Sequence, residues 1–199
     1  MFSLSEYISN PKLWKSSRKC NLVALLLFEA APKKDSSEDT KAMLEKEQAQ
    51  INELFGKCPL VGLSGDDVEK LHRKEEGGEL NKSADIYVFH RELSDPLHMV
   101  ECKYRYALAE DGLHGRRVRS IFEDLQGKFT ASRRFLVGQG REVDDMVWVV
   151  SNSKVASILR AEIVDLCAEA GFDPFNVVDN DGLHEDLSRV GLPMEEKAV

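Results

Sequence analysis

Apolar residues recur along the chain with two different periods, which predict helices in some segments and strands in others. The clearest helical period covers residues 38 to 55 and follows a capping-box spacing over Ser36–Asp39. The clearest strands are two neighbouring apolar segments at 85 to 91 and 97 to 104, joined by the turn sequence SDP. The chain therefore combines helices with at least one strand pair.

The other segments continue this alternation of helices and strands. Their predicted order is a short polar helix at 66 to 75, a helix at 116 to 136, a strand at 146 to 150, a helix opened by Ser151 or Ser153 and closed at Gly171, and a strand at 175 to 178. An acidic tail that is expected to fray follows. The apolar run Leu22–Phe28 fits either a buried helix or a strand, and no strand is obvious between 56 and 80.

Both faces of the two neighbouring strands are apolar. Ile86, Val88 and Val100 point to one side. The other side carries Tyr87, Phe89 and Met99. Because such strands are covered by helices on both faces, the pattern predicts an α/β fold.

Three charged residues interrupt these apolar strands: Asp85, Glu101 and Lys103. Side chains alternate along a strand, so Glu101 and Lys103 point to the same face. If the chain reverses around Ser94 and Asp95, Asp85 lies beside Lys103 and diagonal to Glu101. The three groups are then expected to converge on one patch.

Two carboxylates and a lysine in one buried patch suit the metal-dependent hydrolysis of a phosphodiester. A hard divalent cation such as Mg²⁺ relieves the repulsion between the carboxylates and keeps waters that can be delivered to a phosphate. Lys103 can hold or deprotonate the attacking water, or neutralise charge on the phosphorane. The alternative is that the three residues are strand-end charges that face water.

The same residues resemble the PD-(D/E)xK nuclease superfamily, which has Asp on its second core strand and Glu-x-Lys on its third. Here these are Asp85 in SADIYVF and Glu101, Cys102 and Lys103 in MVECKYR, with Ala84 where the family often has proline. The resemblance implies a restriction-endonuclease-like αβββαβ core, with a mixed central sheet flanked by helices, over about residues 36–150. It also implies that Asp85 and Glu101 hold Mg²⁺ or Mn²⁺ and that Lys103 is catalytic.

A single domain is expected over residues 1–199, with a helical N-terminal extension at 1–35 and a C-terminal α/β extension at 151–190.

Many members of the family add a glutamate from the helix before the sheet. Glu47 lies within the apolar stripe of that helix, either in the site or as a solvated residue at the edge of the stripe. Glu79, in the loop before Asp85, is the second candidate.

Charge indicates where a nucleic acid would bind. The chain has 27 basic and 35 acidic residues, a net charge of −8, yet residues 103–134 hold eight basic and four acidic residues. The basic residues predicted to contact phosphates are Arg116, Arg117, Arg119, Lys128, Arg133 and Arg134. They are equally consistent with a solvated helix face. The acidic net charge also leads us to expect a homodimer or a partner subunit that supplies affinity.

Other functional classes have little support in the sequence. The four cysteines are far apart and the N-terminal residues lack the charged region, apolar core and cleavage site of a signal peptide, so we expect reduced thiols and a cytoplasmic protein. No apolar run reaches the roughly 20 residues that span a bilayer, and zinc and nucleotide-binding motifs are missing. We therefore predict a metal-dependent DNA endonuclease of defence, restriction or recombination. The alternative is a catalytically silent nuclease-like fold that serves as a nucleic-acid-binding or structural subunit.

Overall fold

The structure is a computed structural model that describes residues 3–9, 21–77, 82–89, 96–104, 115–173, 175–192 and 194. Its helices are α1 (Leu4–Ser9), α2 (Leu22–Glu29), α3 (Glu38–Phe55), α4 (Gly65–Glu76), α5 (Arg116–Gly138), α6 (Ser153–Ala170) and α7 (Asn180–Arg189). Its strands are β1 (Val61–Ser64), β2 (Ile86–Phe89), β3 (Leu97–Cys102), β4 (Val143–Val150) and β5 (Asn176–Val178).

The strands form one open, mixed sheet in the order β1-β2-β3-β4-β5. The pairs β1–β2 and β2–β3 are antiparallel, whereas β3–β4 and β4–β5 are parallel. Each parallel step is made through a helix, α5 after β3 and α6 after β4. The predicted α/β class with a mixed sheet flanked by helices is confirmed.

Helices cover both faces of the sheet, as the apolar strands predict. Tyr87, Phe89 and Met99 pack with α5 and α6, through residues such as Leu125 and Leu159. On the opposite face, residues from α2, α3 and α7 pack against the sheet. The sheet residues of that face include Ile86, Val88, Val100 and Trp148. The two faces therefore carry two separate buried clusters, with the sheet between them.

Most helices lie where the apolar period predicts them. The helix predicted at 38 to 55 has those bounds, although Ser37 caps it by accepting a hydrogen bond from Thr40 N at 3.3 Å. The helix predicted at 66 to 75 is α4, and the one predicted at 116 to 136 extends to Gly138. The ambiguous apolar run is α2, whose first turn is capped by Asn21 accepting from Val23 N at 2.8 Å.

The strand β1 was not predicted, and its sequence explains why. It has four residues, one of them Gly62, and ends at the polar Ser64. A Cβ atom at Gly62 would lie 2.9 Å from Leu25 Cδ1 and 3.0 Å from Leu22 Cα, so glycine allows α2 to pack closely on the strand. A strand this short with a central glycine has no alternating pattern.

Two further boundaries differ from the prediction. The strand predicted at 146 to 150 begins at Val143. Neither Ser151 nor Ser153 caps α6, because Asn152 Oδ1 accepts a hydrogen bond from Val155 N at 3.0 Å. The predicted end is correct: Gly171 has φ 60°, in the left-handed region that favours glycine.

The segment after β5 is a helix, so the predicted frayed tail is wrong over residues 180–189. Leu183 and Leu187 are buried against the sheet, while most charged residues of α7 lie on its other side. Asp179 caps the helix by accepting from Gly182 N at 3.0 Å. Two leucines one turn apart are enough to dock an otherwise acidic helix.

None of the helices in the described ranges is long and apolar enough to cross a membrane.

Candidate active site

The three predicted charged residues meet where β2 begins and β3 ends. Asp85 directly precedes β2, Glu101 lies in β3 and Lys103 follows it. Ile86 pairs with Val100, which puts Asp85 opposite Glu101 instead of Lys103. The predicted register is therefore wrong by two residues. A shift of two residues keeps the same face, so the convergence of the three side chains is retained.

Asp85 and Glu101 are fixed by each other's strands. Asp85 N donates to Glu101 Oε2 at 3.1 Å, and Cys102 N donates to Asp85 Oδ2 at 2.8 Å. The carbonyl of Asp85 accepts from Gly65 N, the first residue of α4, at 3.0 Å. Each carboxylate thus takes the place of a backbone acceptor where the β2–β3 ladder ends.

Lys103 is held by the neighbouring strand β4. Its backbone N–H donates to the Val150 carbonyl at 2.7 Å, and its own carbonyl accepts from Ser151 Oγ at 2.9 Å. Its ammonium donates to Glu101 Oε1 at 2.6 Å and lies 3.8 Å from Asp124 Oδ2. The side chain is therefore directed back over Glu101.

Helix α5 brings two more charged residues to this point. Lys128 Nζ donates to Glu101 Oε1 at 2.5 Å and lies 3.4 Å from Asp85 Oδ1. Asp124, one turn earlier, accepts from Lys82 Nζ at 2.8 Å. We call Asp85, Glu101, Asp124, Lys82, Lys103 and Lys128 the carboxylate–lysine cluster; when all six side chains are ionised, its three carboxylates and three ammonium groups sum to zero charge.

Burial and charge set the protonation of this cluster. Glu101 is fully buried, and this burial together with repulsion from Asp85 raises its pKa to about 7, although Lys103 and Lys128 act in the opposite direction. Burial alone would lower the pKa of Lys103 and of Lys128, but attraction to Glu101 outweighs it and raises both. Burial would raise the pKa of Asp124, but the surrounding lysines lower it.

The donor set of Asp85 and Glu101 fits a hard divalent cation. The Lys128 ammonium already lies against an oxygen of each carboxylate, so a positive charge is accommodated between them. Among the described residues, no group of three or more His, Cys, Asp or Glu side chains is arranged for a metal. Two carboxylates suffice for Mg²⁺, which completes its shell with water and phosphate oxygens.

Glu47 is not brought to this cluster. It lies on α3, which packs on the opposite face of the sheet from Glu101 and Lys103. Its Oε2 accepts from Asn180 Nδ2 at 2.8 Å, and Asn180 Oδ1 accepts from Tyr104 OH at 2.5 Å. Burial, with repulsion from Asp179, raises the pKa of Glu47. The second candidate from the sequence, position 79, lies outside the described residues.

The six basic residues predicted to bind nucleic acid do not share one face of α5. Arg119 pairs with Glu169 of α6 at 3.1 Å, and Arg133 pairs with Asp145 of β4 at 2.5 Å. Lys128 belongs to the carboxylate–lysine cluster. The other exposed members are Arg116, Arg117 and Arg134.

Of these arginines, Arg117 lies on the side of α5 that faces the cluster. It precedes Asp124 by seven residues and Lys128 by eleven, spacings that return to the same side of a helix. A groove of about 560 Å³ beside the cluster is lined by Lys82, Arg117, Ser120, Ile121, Glu123 and Asp124. Lys82 and Asp124 belong to both the groove and the cluster, and Asp124 lies 3.8 Å from the Lys103 ammonium.

Sequence reasoning missed Lys82 and Asp124 as members of the cluster. The available signal was that Asp124 and Lys128 are four residues apart, so they lie on the same side of α5, next to the buried Leu125. Lys82 had no such signal, because it lies in a loop that only the fold brings to α5.

Comparison with protein-family models, with curated proteins and with solved structures finds no match for this chain. The PD-(D/E)xK resemblance therefore depends on Asp85, Glu101 and Lys103 and on the strands that carry them. Evidence for function has to come from the geometry of the carboxylate–lysine cluster.

Proposed function

We propose that the protein is a divalent-metal-dependent nuclease that hydrolyses phosphodiester bonds, with DNA as its favoured substrate. The observation that supports this most strongly is the convergence of Asp85, Glu101 and Lys103 where the interior strand β2 begins and β3 ends, with Glu101 buried and Asp85 in contact with solvent. This is the arrangement that the PD-(D/E)xK resemblance implies. The strand order and the helices on both faces are compatible with a restriction-endonuclease-like fold, which forms part of the proposal.

Asp85 and Glu101 are the residues that would hold Mg²⁺ or Mn²⁺. When bound, such an ion supplies Lewis-acid stabilisation of charge on the phosphate and a more acidic water. The chain's own part is to keep the two carboxylates in place, which Cys102 N does for Asp85 and Asp85 N does for Glu101. These backbone donors leave the carboxylate oxygens that face Lys128 for the cation.

Lys103 acts as a charged donor in this proposal. Its ammonium lies at the edge of the cluster, between Glu101 and Asp124, where it can donate to the attacking water or to a phosphate oxygen. Negative charge that develops on the phosphorane is stabilised by such a pre-positioned cation. The β4 contacts of the Lys103 backbone hold it in register for this role.

The test is cleavage of supercoiled plasmid, linear duplex and single-stranded DNA, and of single-stranded RNA, with Mg²⁺, Mn²⁺ or chelator. We expect metal-dependent cutting by the wild type and a loss of about 100-fold or more in Lys103→Ala, which removes the stabilising ammonium. The matched control is Lys70→Ala, which removes an exposed lysine that pairs with Asp67 on α4. That variant should cut like the wild type.

If the wild type cuts none of these substrates with either metal, the nuclease proposal fails. If Lys103→Ala and Lys70→Ala cut equally well, the assigned role of Lys103 fails, and the cutting cannot be attributed to the carboxylate–lysine cluster. A contaminating nuclease is excluded when the activity is lost in Lys103→Ala prepared in parallel.

A second candidate function is favoured by the ion pairs themselves. Glu101 Oε1 accepts from two ammonium groups, and the cluster is neutral without any metal. A satisfied network of this kind also suits a catalytically silent nuclease-like subunit that binds nucleic acid or a partner. Under this alternative Mg²⁺ and Mn²⁺ leave the melting temperature of the wild type unchanged, whereas the nuclease proposal requires an increase.

A further inference from the structure

Lys128 contacts both carboxylates that the proposed function assigns to the metal. Its Nζ lies 2.5 Å from Glu101 Oε1 and 3.4 Å from Asp85 Oδ1. Lys103 also donates to Glu101 Oε1, at 2.6 Å, and lies 3.8 Å from Asp124 Oδ2. The Lys128 ammonium therefore lies at the place where a cation shared by Asp85 and Glu101 would be.

The backbone of Lys128 is fixed while its side chain can leave. The neighbouring turns of α5 are anchored by the buried Leu125 and Phe129, and Ser132 Oγ accepts a hydrogen bond from Ala84 N at 2.8 Å, one residue before Asp85. The Lys128 side chain itself is 21% exposed. A long, flexible lysine in this position can withdraw its ammonium to solvent without moving the helix.

A divalent ion and an ammonium group cannot share these oxygens closely. Like charges a few ångströms apart repel strongly in a partly buried site. Lys128 in this position also offsets part of the repulsion between Asp85 and Glu101 in the metal-free protein.

We propose that Lys128 is an internal counter-cation: it occupies the two-carboxylate site in the metal-free protein, and Mg²⁺ or Mn²⁺ must displace its ammonium in order to bind. This inference rests on the proposed metal-dependent function and adds a residue that sets the metal concentration at which the site fills. Lys128 is thus a positioning residue for the metal-free site.

The test is calorimetric titration with MgCl₂ or MnCl₂ alone, without nucleic acid. Lys128→Met and Lys128→Gln should bind metal about tenfold more tightly than the wild type or better, because the competing charge is gone. Lys128→Arg keeps a cation and should bind no more tightly than the wild type. Arg134→Met makes the same charge change on an exposed position of α5 and should stay within about twofold of the wild type.

Thermal melting in chelator supplies a second readout that does not depend on activity. Without metal, Lys128→Met should have a lower melting temperature than the wild type, because the repulsion between Asp85 and Glu101 is then stronger. Added metal should raise the melting temperature of this variant by more than that of the wild type. Lys128→Gln, which retains a hydrogen-bond donor, provides the same comparison if the Met variant does not fold.

The two proposals fail in different ways. If the wild type binds metal and the Lys128→Met and Lys128→Gln variants bind it equally or more weakly, the competition is overturned and the nuclease proposal stands. If neither the wild type nor any Lys128 variant binds metal, both are overturned. Tighter binding in the variants with no cleavage of any substrate supports the competition and overturns the nuclease proposal.

Discussion

Glu101 joins two lysines that come from different parts of the chain. Lys103 is two residues further along the chain, just after β3, whereas Lys128 lies on α5. Both ammonium groups donate to Glu101 Oε1. A buried carboxylate without such partners would be costly, so removing one lysine leaves a charge that the rest of the fold does not compensate. The proposed catalytic residues are for this reason also residues on which local stability depends.

Glu47, on the other face of the sheet, is a second carboxylate whose pKa is raised by burial, and its hydrogen-bond partner is the neutral Asn180 instead of a lysine. Burial and the nearby Asp179 raise its pKa from 4.5, so the folded protein binds this proton more readily than the unfolded chain. The stability associated with the protonated form is present below about pH 4.5 and is lost as the pH rises through the folded pKa. Glu47→Gln has no carboxylate to ionise, so this loss of stability at higher pH does not occur. The glutamine amide oxygen can still accept the hydrogen bond from Asn180 Nδ2. It should therefore melt a few degrees above the wild type at pH 7.5 and close to it at pH 4.

Thermal melts at the two pH values measure this, with Glu53→Gln on the exposed side of α3 as control. A Glu47→Gln variant that is less stable than the wild type at pH 7.5 contradicts the assignment. Retained cleavage by the same variant would show that Glu47 is outside the catalytic centre, as its place on the opposite face of the sheet indicates.

The residues of the cluster differ in how readily the sequence reveals them. Asp85, Glu101 and Lys103 interrupt apolar strands, so a charge there needs a reason. Lys128 was predicted to contact phosphates, and its contacts with Asp85 and Glu101 were not predicted, because a helical period fixes a side of α5 and not what that side contacts. The signal for Asp124 was its four-residue spacing from Lys128, and Lys82 had none, because only the fold brings its ammonium to within 2.8 Å of Asp124.

At the level of elements, the site depends on how α4 begins. Gly65 is its first residue and donates its N–H to the Asp85 carbonyl at 3.0 Å. A Cβ atom at this position would lie 1.9 Å from the Ala84 carbonyl oxygen, closer than any real contact. The start of α4 and the segment that carries Asp85 are therefore packed backbone to backbone.

Gly65→Ala should lower the free energy of unfolding by about 1–3 kcal/mol, because the new methyl group forces Ala84 and Asp85 to move. The displaced Asp85 should also reduce metal-dependent cleavage. Gly138→Ala, at the end of α5 with open space around its Cβ, is the matched control and should be neutral or slightly stabilising. Denaturant unfolding measures both variants, and an equal effect of the two substitutions would contradict the packing argument.

The elements that were predicted well are those with a long apolar period. The helices α3 and α5 have many apolar residues on one side, so their ranges follow from the sequence. The strand β1 and the helix α7 have too few: four residues with a glycine in one, and two leucines among acids in the other. Their conformation is decided by packing on α2 and on the sheet, which a local period does not record.

For the whole molecule, the charge distribution limits how a nucleic acid can be bound. The net charge is −8, the carboxylate–lysine cluster is neutral, and two of the predicted phosphate contacts, Arg119 and Arg133, are paired with acidic residues. Long-range attraction to a polyanion is therefore weak. A divalent ion in the cluster would add positive charge at the point where a phosphate has to bind.

Arg117 is the arginine whose position predicts a contact with the substrate, since it lines the groove beside the cluster. In a Lys103→Ala background, which prevents cleavage, Arg117→Ala should weaken binding of a DNA duplex. It should also reduce the slope of log K against log salt by about 1. Arg134→Ala removes the same charge from the same helix outside that groove and should leave the slope unchanged. Fluorescence anisotropy over a range of KCl concentrations measures the slopes, and equal changes in the two variants would contradict a groove-specific contact.

The hydrogen bonds that Asp85 N and Cys102 N donate to the two carboxylates mean that two amide protons belong to the site itself. The amides of Asp85 and Cys102 are each bonded to a carboxylate from the opposite strand, not to a backbone carbonyl. Their hydrogen exchange with solvent therefore responds to the charge and position of those carboxylates, while amides elsewhere in the sheet respond to opening of the ladder. These two amide protons give a local, substrate-free view of whatever cation occupies the site.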